Sequence, residues 1–239
     1  GVEVLKNGML TQGPKIEEFE NLVAKKVNAK YAVAVSSGTA ALHLACKVVG
    51  LKPGDQIITS ANTFVASANA AEYLNASPYF CDIDNESLNM NISDLKEKLE
   101  QLDNCKIIMP VHFAGAPCEL GEIRTISENK KTIVIEDASH ALGARYKSGE
   151  MVGSCKFSDM TTFSLHPVKG VTAGEGGIIT TNNTDFAKKL RLLRSHGILK
   201  GNFDLPGISK GDDMIMNKQE AFDNGELNPL MMLTFDDDW

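Results

Sequence analysis

The feature that most limits how this chain can fold is a sustained alternation of short apolar runs with longer amphipathic stretches. Lys15–Val27 (KIEEFENLVAKKV) sets Ile16, Phe19, Leu22, Val23 and Val27 on one helical face, and Pro14 stands at its start, where a missing N–H costs little. Tyr31–Val35 (YAVAV) is strand-like, and SSGTAALHLACKVVG after it has helical patterning. The unit then returns as strand Gln56–Thr59 with helix Phe64–Leu74, strand Tyr79–Ile83 with helix Ser93–Leu102, strand Lys106–Val111 with helix Leu120–Lys130, and strand Thr132–Ile135. Strands apolar on both faces between amphipathic helices predict an α/β chain whose largely parallel sheet is covered on both sides. After Asp137 the texture changes. Leu142–Lys156 reads as a Gly-turned hairpin, Met160–Leu165 and Gly177–Thr181 as further strands, and Thr184–Ser195 as a helix capped by Asn183 or Thr184.

A chain of 239 residues with 43% hydrophobic content can bury a real core, as one large domain or two small ones. The excess of 31 acidic over 24 basic residues argues against a sequence-independent nucleic-acid binder. No apolar run reaches the roughly 18 to 20 residues of a membrane span, and Gly1–Gly8 carries no signal-peptide pattern. The five cysteines are scattered and without CxxC spacing, which predicts reduced thiols and a cytoplasmic location. No metal site is expected, because the five histidines lie far apart without paired-ligand spacing. The charge is uneven: Lys200–Trp239 holds nine acids and three lysines, and it reads as a divergent acidic tail distinct from residues 1–199. With Gly1 as its first residue, the chain is expected to be a piece of something longer at both ends.

Three places carry chemistry. Ser36-Ser37-Gly38-Thr39 lies between a strand and a helix, where free N–H groups and the helix dipole favour an anion; the plainer reading is a simple helix cap. Ile133-Val134-Ile135-Glu136-Asp137 ends a buried strand in two carboxylates at the edge where open α/β sheets bind ligands, although an aspartate there can also cap the next turn. His140 follows three residues later, and a lone histidine is commonly structural. Phe163–Gly170 (FSLHPVKG) puts Lys169 at a strand end in a Pro/Gly turn. An amine delivered into a cleft loses water and becomes a nucleophile toward carbonyls, whereas an ordinary surface lysine does not. Taken in order, the three suit a cofactor with a phosphate, a basic ring nitrogen and an aldehyde, which is pyridoxal 5′-phosphate (PLP).

A set of longer motifs sharpens this. NGMLTQGPKIEEFE, SSGTAALHLA, TSANTFVASANA, YFCDID, MPVHFAG, IEDASHALGA and FSLHPVKGVTAGEGGIITT make residues 1–199 resemble the DegT/DnrJ/EryC1/StrS sugar aminotransferases. The resemblance implies the three-layer large domain of the type I, aspartate-aminotransferase-like fold, with a mostly parallel mixed sheet. By position, Lys169 matches the lysine that binds the cofactor and shuttles the proton, Asp137 the acid paired to the ring nitrogen, and His140 the residue that orients the cofactor beside it. Phe64 matches the aromatic that stacks on the ring, and Gly38, Thr39 and Ser164 match phosphate-binding positions. Thr11, Gln12 and Gly13 match a segment lining the sugar-nucleotide site. Because Lys169 stands where some members carry histidine and eliminate water, the resemblance implies transamination. The amino donor would be an amino acid, usually glutamate. The acceptor would be a nucleotide-linked keto-deoxy sugar, the wording being most similar to members that act on UDP-linked 4-keto-6-deoxy sugars of the pseudaminic-acid type. A homodimer with shared active sites is implied as well.

The motifs stop after Ser195–Ile198, before the small C-terminal domain of the family, so weak PLP binding is expected of this chain alone. The alternative from another class is a truncated, non-catalytic paralogue that acts as a binding or regulatory module. A cysteine desulfurase fits poorly, since the last cysteine, Cys155, precedes Lys169, and a nicotinamide site fails for want of GxGxxG after the first strand.

Overall fold

The computed structural model describes residues 2–6 and 13–197. Its strands are β1 (Tyr31–Val35), β2 (Gln56–Ser60), β3 (Ser77–Cys81), β4 (Cys105–Met109), β5 (Ile133–Asp137), β6 (Met160–Ser164) and β7 (Gly177–Thr181). They form one sheet in the order β1-β7-β6-β5-β4-β2-β3. β7 runs antiparallel to both of its neighbours, and every other pairing is parallel, as the alternating pattern predicts. The helices are α1 (Val2–Lys6), α2 (Pro14–Val27), α3 (Gly38–Val48), α4 (Ala66–Glu72), α5 (Ile92–Gln101), α6 (Leu120–Lys130) and α7 (Thr184–Arg194).

Local chemistry accounts for the helix ends. Pro14 is the first residue of α2, and Asn28 closes it in the left-handed conformation at φ 63°, returning its N–H to Ala24. Asn91 caps α5 by accepting the N–H groups of Ser93 and Asp94, and Asn183 does the same for Asp185 and Phe186 in α7. Alternation along the strands sorts side chains between two faces. One face carries Ile58, Ile108, Val134 and Phe163, in a single core with Leu95 and Leu99 of α5 and Leu120, Ile123 and Ile126 of α6. On the other, α3 packs against β6 and β7, and α4 against β2 and β3.

Several expectations need correction. Leu22 is exposed, because the buried stripe of α2 runs through Glu20, Ala24 and Val27 instead. β3 starts at Ser77 rather than Tyr79 and is not buried on both faces: it is the sheet edge, with Tyr79 and Phe80 exposed and Pro78 tolerated where ladder bonds are needed on one side only. The helix after β2 is confined to Ala66–Glu72. The Leu142–Lys156 hairpin reduces to one bridge, Arg145 with Met151, around a turn at Gly149. The N–H groups of Tyr146 and Val152 donate across it to the carbonyls of Glu150 and Ala144, and side chains tie the short hairpin to the rest of the protein, as described below.

The chain divides into two compact units, residues 1–187 and 188–239. The sheet lies wholly in the first. Of the second, the last turns of α7 and the turn Ser195–Gly197 are described; the acidic tail after residue 199 lies outside the described residues.

Candidate active site

β1, β2, β5 and β6 are parallel, so their C-terminal ends share one edge of the sheet. The candidate residues leave the sheet at those four ends, which is where ligands bind in this class of fold. Gly177 of β7 pairs with Val35 of β1 on one side and with Ser164 of β6 on the other, so the β1–α3 turn and the end of β6 are one strand apart. The fit is tight. A Cβ on Gly177 would lie 2.2 Å from the Ser37 carbonyl oxygen, and one on Gly38 would lie 2.8 Å from Cβ of Ser164. Glycine is therefore required at both places.

Ser37 caps α3, its Oγ accepting the N–H of Ala40 at 3.0 Å. The cap reading and the anion reading of this turn are compatible, because the N–H groups of Gly38 and Thr39 keep no partner among the described residues. They stand at the positive end of an 11-residue helix with the Ser164 hydroxyl beside Gly38. Ser164 Oγ accepts the N–H of His166 at 3.4 Å and has its own proton left to donate. This is a donor set suited to a phosphate.

Asp137 ends β5 and is buried. Its Oδ1 accepts both the N–H of Ser139, at 3.1 Å, and the Ser139 hydroxyl, at 2.7 Å. Its Oδ2 accepts the hydroxyl of Ser67, at 2.6 Å, from α4. The N–H of Ser67 in turn donates to the carbonyl of Phe64 at 3.2 Å, which ties the aromatic residue to the carboxylate. Phe64 itself is 75% exposed, its ring face unburied by the described protein.

Lys169 follows β6 in the turn His166–Lys169, closed by its N–H on the His166 carbonyl at 2.9 Å. Its side chain is half-buried rather than enclosed in a dry cleft, and among the described residues its amine makes no ion pair. His140 is exposed, and it links the two halves of the site. Partial desolvation and then the positive charge of Lys169 hold the imidazole below its ordinary value, while the charge of Asp137 acts the other way. The amine and the carboxylate thus both act on the imidazole, in opposite directions, at the same edge. Gly13 lies just before α2, where its carbonyl accepts the N–H of Ile16. Thr11 and Gln12 lie outside the described residues.

The sequence missed the supports of this site. Ser67 and Ser139 look like any other small polar residues in a helix and a turn, and only the tertiary placement of α4 on that face of the sheet brings the first to Asp137. Glu136 and His112 were also left without a role. The pleat turns Glu136 away from Asp137 to the opposite face, where it accepts from His112 Nε2 at 2.6 Å, Tyr146 at 2.5 Å, Thr161 at 2.8 Å and Ser158. His112 Nδ1 accepts the N–H of Cys118 at 3.1 Å, which places the ring proton on Nε2, facing Glu136. Tyr146 is thus the anchor that holds the shortened hairpin segment.

Similar proteins place these motifs in a known lineage. A spore coat polysaccharide biosynthesis protein, SpsC of Bacillus subtilis, is 42% identical over 198 residues, covering 83% of this chain and 50% of its own length. The UDP-4-amino-4-deoxy-L-arabinose–oxoglutarate aminotransferase of Shewanella sediminis is 40% identical over 202 residues, covering 84% and 50%. Among solved structures, Helicobacter pylori PseC, an aminotransferase of pseudaminic acid biosynthesis, superposes with a TM-score of 0.79 at 30% identity, covering 87% of this chain and 56% of that one. The chain spans about half the length of these relatives, and its α/β fold matches the part of the PseC structure that it covers. The family profile matches residues 2–218, past the point where the recognisable motifs end, and the chain belongs to the DegT/DnrJ/EryC1/StrS aminotransferase family.

Proposed function

We propose that residues 1–199 form the cofactor-binding domain of a PLP-dependent transaminase that moves an amino group from an amino acid, glutamate, to a nucleotide-linked keto-deoxy sugar. The observation that carries the proposal is the shared sheet edge: Asp137 ends β5, the adjoining β6 ends at Ser164 and leads into the turn of Lys169, and the start of α3 lies against Ser164 with the N–H groups of Gly38 and Thr39 unpartnered among the described residues. Each group on PLP has a counterpart: Gly38, Thr39 and Ser164 for the phosphate, Asp137 for the ring nitrogen, Lys169 for the aldehyde and the exposed Phe64 for the ring face. When bound, PLP supplies an aldehyde that condenses with amines and a ring that withdraws electrons from the adjoining carbon.

The protein's part is to bind, orient and move a proton. Lys169 Nζ would be the attachment point for the cofactor's aldehyde, and its amine, when free, would carry the proton between the substrate carbon and the cofactor. Asp137 keeps a proton on the ring nitrogen by charge pairing, which preserves the electron withdrawal. His140, three residues after the acid, is assigned to orienting the ring. Thr11, Gln12 and Gly13 are assigned to the sugar-nucleotide side. The Shewanella sediminis relative is named for a UDP-amino sugar and oxoglutarate, the keto acid left when glutamate gives up its amino group. A cytoplasmic homodimer completes the proposal, favoured by the exposed apolar residues Phe64, Val65, Val168 and Val171.

The test is a visible absorbance scan with added PLP, followed by amino transfer from glutamate to a UDP-linked keto sugar. A new band is expected in the wild type and its complete loss in Lys169→Ala. A band that survives in the variant, or none in the wild type, overturns the proposal. Binding without amino transfer would favour the non-catalytic paralogue.

A further inference from the structure

We infer that Ser67, backed by Thr63, is the positioning residue that sets the Asp137 carboxylate for a pyridinium nitrogen and couples it to Phe64. The inference rests on the PLP reading above and adds to it two residues outside the set assigned there.

The argument starts from proton counting. Ser67 Oγ lies 2.6 Å from Oδ2 of Asp137 and 2.7 Å from the Thr63 hydroxyl. A carboxylate cannot donate, so the single hydroxyl proton of Ser67 goes to Asp137. The proton of the 2.7 Å contact between Thr63 and Ser67 then comes from Thr63, whose hydroxyl has the Phe64 carbonyl as its other, longer acceptor at 3.2 Å. The chain Thr63 to Ser67 to Asp137 therefore has one direction, and each donor polarises the next. Ser67 is fully buried, so no water substitutes for the bond.

The geometry gives this chain a purpose beyond filling a core. Asp137 could rotate about its terminal torsion, a broad and soft degree of freedom. Ser139 restrains Oδ1 from the strand's own continuation, and a restraint on one oxygen leaves the carboxylate free to swing about it. Ser67 closes the second oxygen from another element, α4. The same Ser67 donates its N–H to the carbonyl of Phe64, and Thr63 precedes that residue directly. One short segment, Thr63–Ser67, thus holds both the residue assigned to the ring face and the residue assigned to the ring nitrogen. A shift of that segment would move the two together.

The test compares binding of PLP with binding of 1-deazapyridoxal phosphate, which has a carbon where PLP has its ring nitrogen. Dissociation constants come from calorimetric titration of the 239-residue chain. Removing a buried hydrogen bond to a charged acceptor is expected to weaken PLP binding about tenfold in Ser67→Ala. Binding of the deaza compound should stay within about twofold, since it makes no bond to Asp137. Ser67→Thr restores the hydroxyl and should recover most of the PLP affinity. Thr63→Val, half-buried and nearly isosteric, should weaken PLP binding by a smaller factor with the same selectivity, and it keeps the inference testable if the alanine variant fails to fold. Equal losses for both ligands mean that Ser67 merely supports the fold, and no loss for either means that the bond does not matter; both overturn the inference. Absence of PLP binding in the wild type instead overturns the PLP reading, and the inference falls with it.

Discussion

Glu136 and Asp137 are consecutive carboxylates at the end of β5, and the pleat sends them to opposite sides of the sheet. Glu136 faces inward and meets four side-chain donors, from His112, Tyr146, Ser158 and Thr161. Asp137 is almost as buried but sits at the ligand edge, with donors to both oxygens and the positive charge of Lys169 near enough to act on the adjoining His140. The first carboxylate is spent on the protein itself. The second keeps capacity for something that is not protein. A functional acid is distinguished from a structural one by whether its partners close around it, not by its burial.

The largest expected effect separates the two by exchanging stability for binding. Glu136→Gln puts an amide among donors arranged for a carboxylate and should cost about 3 kcal/mol of folding stability. Asp137→Asn should cost about 1 kcal/mol or less, yet abolish the PLP absorbance band that Glu136→Gln leaves in place wherever it remains folded. Urea unfolding and absorbance titration on both variants check this, and equal stability losses would erase the distinction.

The acid limb of stability should belong to Glu136. Burial disfavours its charge, but the hydrogen bonds from His112, Ser158 and Tyr146 outweigh that and hold its carboxyl below the ordinary value of 4.5. A depressed folded value stabilises the protein above the unfolded value and is lost as pH falls through the folded one. The urea midpoint should therefore drop below about pH 4.5, and the drop should be shallower in Glu136→Gln, which cannot titrate there. An unchanged slope in the variant would assign acid lability elsewhere.

The smallest effect is the most direct on the site. His140 titrates below its ordinary 6.5 because of partial desolvation and Lys169, offset by Asp137. Its imidazole midpoint, followed by NMR, should rise in Lys169→Ala and fall further in Asp137→Asn. Two unmoved midpoints would mean that the three residues do not share a site.

Much of this was legible in the sequence. β1, β7 and α6 keep their expected bounds, and most other elements shift by a residue or two, because Pro14, Asn91 and Asn183 punctuate the chain by local chemistry. The order of Gly38, Asp137 and Lys169 was also visible, since strand-end residues fall on one edge once the sheet is parallel. The errors fall where long-range context wins. Nothing local tells Tyr79 and Phe80 that β3 is an edge, or Leu22 that it lies off the buried stripe. Nothing local says that the hairpin in Leu142–Lys156 is cut to one bridge and tied to Glu136 by the Tyr146 hydroxyl.

The sequence by itself determined the alternation of strand and helix, the parallel sheet that follows from it and the family motifs, because period and turn chemistry act over a few residues. Only the tertiary structure decided which of two adjacent carboxylates faces a ligand, which serine of many reaches it, and where glycine is compulsory. Those depend on the pleat and on the crossing of elements distant in the chain: a slip of one residue in β5 would exchange Glu136 with Asp137.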